Sequence, residues 1–222
     1  KLLKQSSVCF DTETTGLDAL QAELVGIAFS WEQQKGYYLA LPQDQGETQA
    51  IIDTFRPFFE NPQIEKIGHN LKYDLKVLLK YDLRVAGPLF DTMIAHYLIN
   101  PDMRHNMDVL AETYLNYSPQ SITELIGRKG KNQGSMRDVP LDQQTQYAVE
   151  DADITLQLKH HFEKELAESA TTDLFKTVEL PLVEVLTDME AEGINLNVNF
   201  LNQLSKTLTA DIAVLEKDIY GE

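Results

Sequence analysis

The sequence has a single cysteine, no long apolar run and few basic residues relative to acidic ones. Cys9 alone cannot form an internal disulfide, and its position between Val8 and Phe10 favours a buried thiol that packs as a small apolar group. No stretch approaches the roughly 18 to 20 apolar residues of a membrane helix, and the opening segment lacks the apolar core of a signal peptide. These absences predict a soluble protein of a reducing cytoplasm, without a membrane partner.

The charge balance restricts the ways in which the chain can bind nucleic acid. Lysine and arginine number 19 against 35 aspartates and glutamates, which gives a formal net charge of −16. Domains that hold nucleic acid by neutralising phosphates are usually basic, so the balance argues against that class. Carboxylates that collect divalent cations are the exception, because the cations then meet the phosphate. A nucleic-acid site in this chain must therefore appear as specific acidic residues.

Apolar runs of strand length alternate with helical patterns through most of the chain. Strands are predicted at residues 7–10, 24–31, 36–41 and 64–68, and helices at 47–60, 71–81, 92–99, 107–115 and 141–166. Residues 122–139 are rich in glycine and basic side chains and are predicted to form a loop. A meander of strands followed by alternating helices and strands predicts an α/β fold, with a mixed sheet flanked by helices.

The character of the sequence changes after about residue 170. Two further helices are predicted, at residues 174–189 and 201–219, and Gly193 between them suits the position after a helix C-terminus. The second helix carries an apolar stripe that nothing else in the chain is left to cover, formed by Leu201, Leu204, Leu208, Ile212, Leu215 and Ile219. Because the chain also begins with Lys1, we expect a segment of a longer protein, with one domain in residues 1–170 and a helical extension in 171–222.

Two carboxylates, Asp11 and Glu13, follow the first apolar run with one residue between them. In an extended chain this spacing places both side chains on the same side, where they repel unless a cation lies between them. Mg²⁺ and Mn²⁺ take oxygen ligands of this kind. Taken alone, an acidic pair in a solvated turn is the commoner explanation of such a pattern.

Two further motifs place an acid four residues after a polar residue. Asn70 and Asp74 follow the run that ends near Gly68, where Asn70 as an N-cap and Asp74 as a first-turn acid are the structural alternatives. Tyr147 and Asp151 share one helix face, a spacing that packing alone also produces. Each motif has an ordinary explanation, but three in this order are hard to explain as coincidence.

The set D-x-E, N-x-x-x-D and Y-x-x-x-D resembles the three motifs of the DnaQ-like 3′-to-5′ exonucleases, in the variant with tyrosine in the last motif. The related variant carries histidine five residues before the final aspartate, where this chain has Gln146. Four segments narrow the resemblance to the proofreading domain of bacterial family A DNA polymerases, the DNA polymerase I type: NLKYD at 70–74, FDTM at 90–93, KGKNQ at 129–133 and EDADITLQL at 150–158. Residues 179–194 resemble the start of the polymerase domain of that family.

The resemblance implies a ribonuclease H-like fold and removal of nucleoside 5′-monophosphates from single-stranded DNA 3′ ends with two divalent ions, Mg²⁺ or Mn²⁺. It implies that Asp11 bridges both ions, that Glu13 and Asp151 complete the site of the ion that activates water, and that Asp74 serves the other. Tyr147 is expected to orient the attacking water together with Glu13, since a phenol with an ordinary pKa near 10 is a poor base at neutral pH. The remainder of a polymerase domain in the same chain is the implied partner, in a bacterial cytoplasm.

Position within the motifs also suggests substrate contacts and leaves alternatives for each. Leu17 is a candidate wedge against the terminal bases or a core residue, and Asn70 and Tyr73 are candidate contacts to the last nucleotides. Arg104 is a further candidate contact or a surface ion-pair partner. The basic cluster at 128–131 is equally a phosphate contact or a solvated loop. The histidines show neither cysteine partners nor the spacing of a closed zinc site.

Two other functions compete with this prediction. An exoribonuclease similar to RNase D uses the same acids and the same tyrosine, although the polymerase-like tail and the KGKNQ segment argue against it. A catalytically inactive scaffold of a polymerase would lose carboxylates, whereas all four are present here. The polymerase site itself is absent from this sequence, so DNA synthesis is not expected of it.

Overall fold

The computed structural model describes residues 1–128, 130 and 133–221. Within them, five strands form a mixed sheet in the order β3-β2-β1-β4-β5. The strands are β1 Ser7–Thr14, β2 Leu24–Glu32, β3 Lys35–Ala40, β4 Glu65–Gly68 and β5 Leu89–Asp91. The first three form an antiparallel meander, while β4 and β5 run parallel to β1. The predicted α/β class and mixed sheet are confirmed.

Helices flank this sheet and continue beyond it. Their bounds are α1 Gln45–Phe59, α2 Leu71–Leu79, α3 Thr92–Ile99, α4 Met107–Leu110, α5 Ile122–Ile126, α6 Leu141–Glu168, α7 Thr172–Leu174, α8 Leu180–Glu192 and α9 Val198–Tyr220. Two of these helices lead into π-helical turns, α4 into Ala111–Leu115 and α7 into Phe175–Glu179. The predicted helices therefore form, with ends that differ by a few residues.

The structure corrects three predictions about local structure. Strand β5 was not predicted, because three residues are too short to show a period. Strand β1 continues through Thr14, so both carboxylates of the first acidic motif lie inside a strand and not in a turn. The segment predicted as a loop contains the short helix α5, which begins where the Ser121 side chain accepts a hydrogen bond from the Thr123 N–H. Its apolar side chains pack with Val25 and Met136.

The two faces of β1 meet different helices, and this determines where the acids lie. Phe10 packs edge-on against Phe59 of α1, with ring centroids 5.2 Å apart. Helix α6 packs against β1, β2, β3 and β4 and buries a long face on the sheet. Because side chains alternate along a strand, Asp11 and Glu13 face away from Phe10 and toward α6. The pleat of one strand thus separates the acids from the aromatic core.

The tight turn from β4 to α2 depends on a glycine. A Cβ at Gly68 would lie 2.3 Å from Cδ2 of Leu71, whose side chain is fully buried. Asn70 completes the turn in the left-handed region, with φ of 64°. Helix α2 can therefore begin at Leu71, shortly after β4 ends at Gly68.

The chain forms two compact units, Lys1–Ala191 and Glu192–Glu222. Residues that follow position 170 pack into the first unit, since Phe175 lies edge-on to Phe90 at 5.0 Å and Val183 is buried. In the second unit the apolar stripe of α9 is exposed, and Gly193 adopts the predicted left-handed conformation with φ of 74°. No helix in the described ranges is long and apolar enough to cross a membrane.

Candidate active site

Strand β1 and helix α6 bring three carboxylates together. Asp11 and Glu13 come from adjacent same-side positions of β1, and Asp151 comes from the first half of α6. One oxygen from each lies within 4.8 Å of the others. Glu13 and Asp151 are buried, at 6% and 9% exposure. The donor set consists of hard oxygen ligands, so these residues fit the divalent ion that the sequence predicts.

The fourth predicted acid, Asp74, reaches the same cleft from the first turn of α2. It is buried, and Thr12 donates to its Oδ1 twice, from the backbone N–H at 3.1 Å and from the hydroxyl at 2.5 Å. Thr12 lies between Asp11 and Glu13 but points to the opposite face of β1, toward α2. Asp74 lines the cleft while standing outside the three-carboxylate group. Its predicted service to a second ion stays a prediction.

The four acids hold unusual pKa values because burial and mutual repulsion both oppose ionisation. Burial raises the pKa of Asp11 from its ordinary value to about 6. Burial and the neighbouring charge of Asp11 raise the pKa values of Glu13, Asp74 and Asp151 well above their usual range. Among the described residues, Glu13 Oε1 is buried without a hydrogen-bond partner. A divalent cation would relieve this repulsion.

Tyr147 lies one helical turn before Asp151 and lines the cleft. Burial, followed by the charges of Asp151 and Glu13, raises the pKa of its hydroxyl far above the ordinary value near 10. The phenol is therefore neutral at physiological pH and keeps its proton. This agrees with the expected role in orienting a water molecule, for which a bound proton is an advantage.

The acids open into a cleft of about 560 Å³. Three of the four predicted substrate contacts line it, namely Leu17, Asn70 and Tyr73, and Leu17 is 74% exposed. Arg104, the fourth, is exposed and is not among the described residues that line this cleft. Its contact with a nucleotide stays a prediction, and the predicted basic cluster at 128–131 lies partly outside the described residues.

The structure gives Tyr73 a role that the sequence did not show, and it places Asn70 at the start of α2. The Tyr73 hydroxyl donates to the Gly16 carbonyl and shares a hydrogen bond with the Thr14 hydroxyl, so it holds the loop that carries Leu17. Asn70 occupies the N-cap position of α2, as the structural alternative predicted, but its side chain makes no capping hydrogen bond.

Sequence reasoning missed several residues of the cleft. His69 lines it directly before Asn70, with Nδ1 in a 2.8 Å hydrogen bond with the Thr92 hydroxyl, and burial lowers its pKa to about 4. An apolar part of the lining is formed by Met93, Met107, Ile122, Ile126 and Met136. His69 adjoins a recognised motif, but the apolar residues are scattered over four elements and carry no local signal.

Comparison with known proteins places this cleft in a family. A family model described as 3′-5′ exonuclease matches residues 1–167. DNA polymerase I of Chloroflexus aurantiacus is 39% identical over 229 residues, which cover 100% of this chain and 24% of that protein. DNA polymerase I of Pseudomonas aeruginosa is 33% identical over 230 residues, covering 99% and 25%. The chain thus spans about a quarter of the length of these relatives.

Solved structures agree on the fold. The POL domain of Pol1 from M. smegmatis, in complex with DNA primer-template and dNTP, is similar with a TM-score of 0.76 and 22% identity, covering 98% of this chain and 35% of that one. Brucella melitensis NrnC gives a TM-score of 0.70 at 21% identity, covering 86% and 87%. Escherichia coli RNase D gives 0.63 at 19%, covering 85% and 46%. Together with the sequence relatives and the acids at the cleft, these matches show that the chain belongs to the 3′-5′ exonuclease family, as the exonuclease domain found in bacterial DNA polymerase I.

Proposed function

We propose that this chain is a metal-dependent 3′-to-5′ exodeoxyribonuclease that uses two divalent ions, Mg²⁺ or Mn²⁺. The observation that carries the proposal is the meeting of Asp11, Glu13 and Asp151 oxygens within 4.8 Å, with Asp74 lining the same cleft. Buried carboxylates at such distances repel one another, and an oxygen-preferring cation is the partner that relieves them. The family membership supports the same reaction.

The residues divide the work between holding ions and placing water. Asp11, Glu13 and Asp151 would hold one ion, and Asp11 with Asp74 would hold the other. When bound, such ions lower the pKa of water and neutralise charge that develops on the phosphate. The Tyr147 hydroxyl keeps its proton and would orient the attacking water by hydrogen bonding, together with Glu13. Both hydrogen bonds from Thr12 go to Oδ1 of Asp74, so they leave Oδ2 available to an ion.

The substrate we propose is the single-stranded 3′ end of DNA, with nucleoside 5′-monophosphate as the product. Exposed Leu17 stands at the cleft, where it can pack against an unstacked terminal base. Asn70 offers a polar side chain in the same cleft. The names of the sequence relatives favour DNA, and their bacterial origin supports a bacterial cytoplasmic protein that carries the remainder of a polymerase domain in the same chain. Residues 1–170 as the exonuclease domain and 171–222 as the start of the polymerase domain belong to the same proposal.

An exoribonuclease is the second candidate, because RNase D and NrnC share the fold. Their identity to this chain is 19% to 21%, below that of the DNA polymerase I relatives at 33% and 39%. The higher identity to the DNA polymerase I relatives therefore favours DNA over RNA as the substrate.

The test is the shortening of 5′-labelled single-stranded DNA and of an RNA of matched sequence, with Mn²⁺ or with EDTA. We expect stepwise loss from the 3′ end of DNA that EDTA abolishes, and a reduction of at least about a thousandfold for Asp11→Ala, since two-metal sites act as a unit. Tyr147→Phe should retain activity reduced by about 10- to 100-fold. Asp53→Ala, an exposed acid on α1, serves as the matched control and should match the unaltered protein. Faster loss of RNA would favour the second candidate, and no metal-dependent shortening of either would favour a scaffold.

A further inference from the structure

The carboxylate of Asp91 is buried at the end of β5 and accepts hydrogen bonds from two helices at once. Its Oδ1 accepts from the N–H groups of Met93 at 2.8 Å and Ile94 at 3.2 Å, the usual pattern for an aspartate that caps its own helix, here α3. The same oxygen accepts from Asn70 N–H at 3.3 Å, and Oδ2 accepts from Leu71 N–H at 2.7 Å. Asp91 is 1% exposed.

The start of helix α2 depends on the Asp91 carboxylate as a hydrogen-bond acceptor. A helix begins with backbone N–H groups that lack partners within the helix, and a side chain at the N-cap usually supplies one. Asn70 occupies that position without supplying a capping bond. Asp91, which is 21 residues away from it in sequence, supplies the acceptor for the N–H groups of Asn70 and Leu71.

Strand pairing explains why Asp91 can reach both helices. Gly68, the last residue of β4, is paired in register with Asp91 in the parallel ladder. The chain that leaves β4 toward α2 therefore passes beside the carboxylate. Thr92 reinforces the contact, because its hydroxyl donates to the Gly68 carbonyl at 3.2 Å and shares a hydrogen bond with His69 Nδ1. Asp91 and Thr92 together fix the turn at residues 68–71.

The first turn of α2 carries residues of the cleft, so its position affects the chemistry. Asn70, Tyr73 and Asp74 all lie in it or directly before it, and all three line the cleft. Asp74 is held from one side by Thr12 of β1. Asp91 holds the start of the helix that carries Asp74 from the other side.

We propose that Asp91 is a positioning residue for the exonuclease reaction, which sets the start of α2 and through it the place of Asp74 at the metal site. The inference rests on the proposed function. Residues that orient metal ligands from behind typically change metal affinity or activity by 10- to 100-fold when they are altered. Asp91 is not among the described residues that line the cleft, and it contacts α2 through backbone N–H groups.

Asp91→Asn is the sharpest variant, because the amide can keep the Oδ1 bonds that cap α3 and replaces only the oxygen that accepts from Leu71. We expect kcat on single-stranded DNA to fall about tenfold and the Mn²⁺ concentration for half-maximal rate to rise at least about fivefold. Asp91→Ser should behave alike, since its short hydroxyl can cap α3 but cannot reach α2. Thermal melts would establish that the assayed variants are folded.

Asp44→Asn is the matched control, because Asp44 is an exposed N-cap that accepts from Glu47 N–H at 2.9 Å on α1, away from the cleft. Its kcat and its Mn²⁺ dependence should equal those of the unaltered protein. An Asp91→Asn protein that is folded and has unaltered kcat and Mn²⁺ dependence would overturn the proposal while leaving the exonuclease intact. An inactive unaltered protein would overturn both.

Hydrogen exchange in the unaltered protein supplies a test that needs no variant. Amides in the first turn of a helix usually exchange quickly because they lack acceptors within the helix. We expect the Asn70 and Leu71 amides to be protected as strongly as the interior of α2. Exchange of both at the rate of exposed amides would show that the Asp91 contact does not hold α2.

Discussion

Buried charged groups lie at both ends of the parallel strands, but in the part of the chain that the structure describes only those at the amino end have partners of opposite charge or hydrogen-bond acceptors. At the carboxyl end, Asp11, Glu13 and Asp151 face one another, and no lysine or arginine among the described residues forms an ion pair with them. At the amino end, Lys66 is fully buried and donates to the backbone carbonyls of Asn61 and Ala86. Lys159, also buried, pairs there with Glu65 at 3.4 Å and Glu163 at 2.8 Å.

The difference separates a buried charge that serves the fold from one that serves a reaction. Good partners offset part of the cost of burying a charge, whereas like charges left together add repulsion to that cost. Burial lowers the pKa of Lys66 to about 8, but its hydrogen bonds are made within the chain. Asp11, Glu13 and Asp151 have no cationic side chain as a partner among the described residues, and a divalent cation would relieve their repulsion. Perturbed groups of this second kind are the stronger indication of function.

The largest effect should come from removing one acid at the carboxyl end. In Asp11→Asn we expect exonuclease turnover to fall by at least about a thousandfold. The same variant should unfold less readily in EDTA at pH 7, because one of the repelling charges is gone. Rate assays measure the turnover, and urea unfolding in EDTA measures the stability of the metal-free protein. Asp53→Asn, a change at an exposed acid, is the control. A variant that loses both activity and metal-free stability would show that Asp11 supports the fold.

The stability of the metal-free protein should depend on pH through the clustered acids. Asp11 has a folded-state pKa near 6, above its ordinary value, so the folded state binds the proton more tightly than the unfolded state does. Asp11 should therefore lower the stability of the metal-free protein by about 2 kcal/mol as pH rises from about 4 to about 6, at roughly 1.4 kcal/mol per pKa unit. The raised pKa values of Glu13, Asp74 and Asp151 should add losses in the same direction, and saturating Mn²⁺ should restore the stability.

The reference for this measurement is Asp11→Asn. Burial lowers the pKa values of His69 and His96 to about 4, and these groups titrate in the opposite sense, adding stability as pH rises. Subtracting the variant's unfolding free energy from that of the unaltered protein at each pH removes the contribution of the histidines. The difference then reports Asp11 together with its effect on Glu13, Asp74 and Asp151, whose pKa values its charge raises. A difference that stays constant between pH 4 and pH 6 would contradict the raised pKa of Asp11.

The smallest effect should come from the amino end of the strands. Lys66→Met keeps the apolar stem and removes the charged donor from the backbone carbonyls of Asn61 and Ala86. We expect a loss of about 1.5 kcal/mol in the free energy of unfolding, with kcat unchanged. Chemical denaturation measures the free energy of unfolding, and the DNA assay measures kcat. Lys164→Met, a change at an exposed lysine, is the control. A large fall in kcat without loss of stability would contradict the assignment of Lys66 to the fold and not to the reaction.

Much of the site could be predicted because its main signals are local. Asp11 and Glu13 share a side through the strand period, and Tyr147 and Asp151 share a face through the helix period. Both relations hold whatever the rest of the chain does. The meeting of the two pairs required only that the predicted sheet and long helix pack together.

The cleft around these acids could not be predicted in the same way. Asp91 looked like part of a recognised segment, and its support of α2 depends on the register between β4 and β5. Thr12 looked like a spacer between two acids, yet it holds Asp74, which is 62 residues away. Strand β5 was too short to carry a period, and the Tyr73 hydroxyl binds a loop that its helix happens to pass.

The sequence by itself determined the chemical type of the site and the elements that carry it, because spacing along a strand or a helix sets the direction of each side chain. Only the tertiary structure decided how the acids are held, which lining residues surround them and which buried charges are paired. Those properties arise from hydrogen bonds and packing between segments far apart in the chain, and such contacts leave no periodic pattern in the sequence.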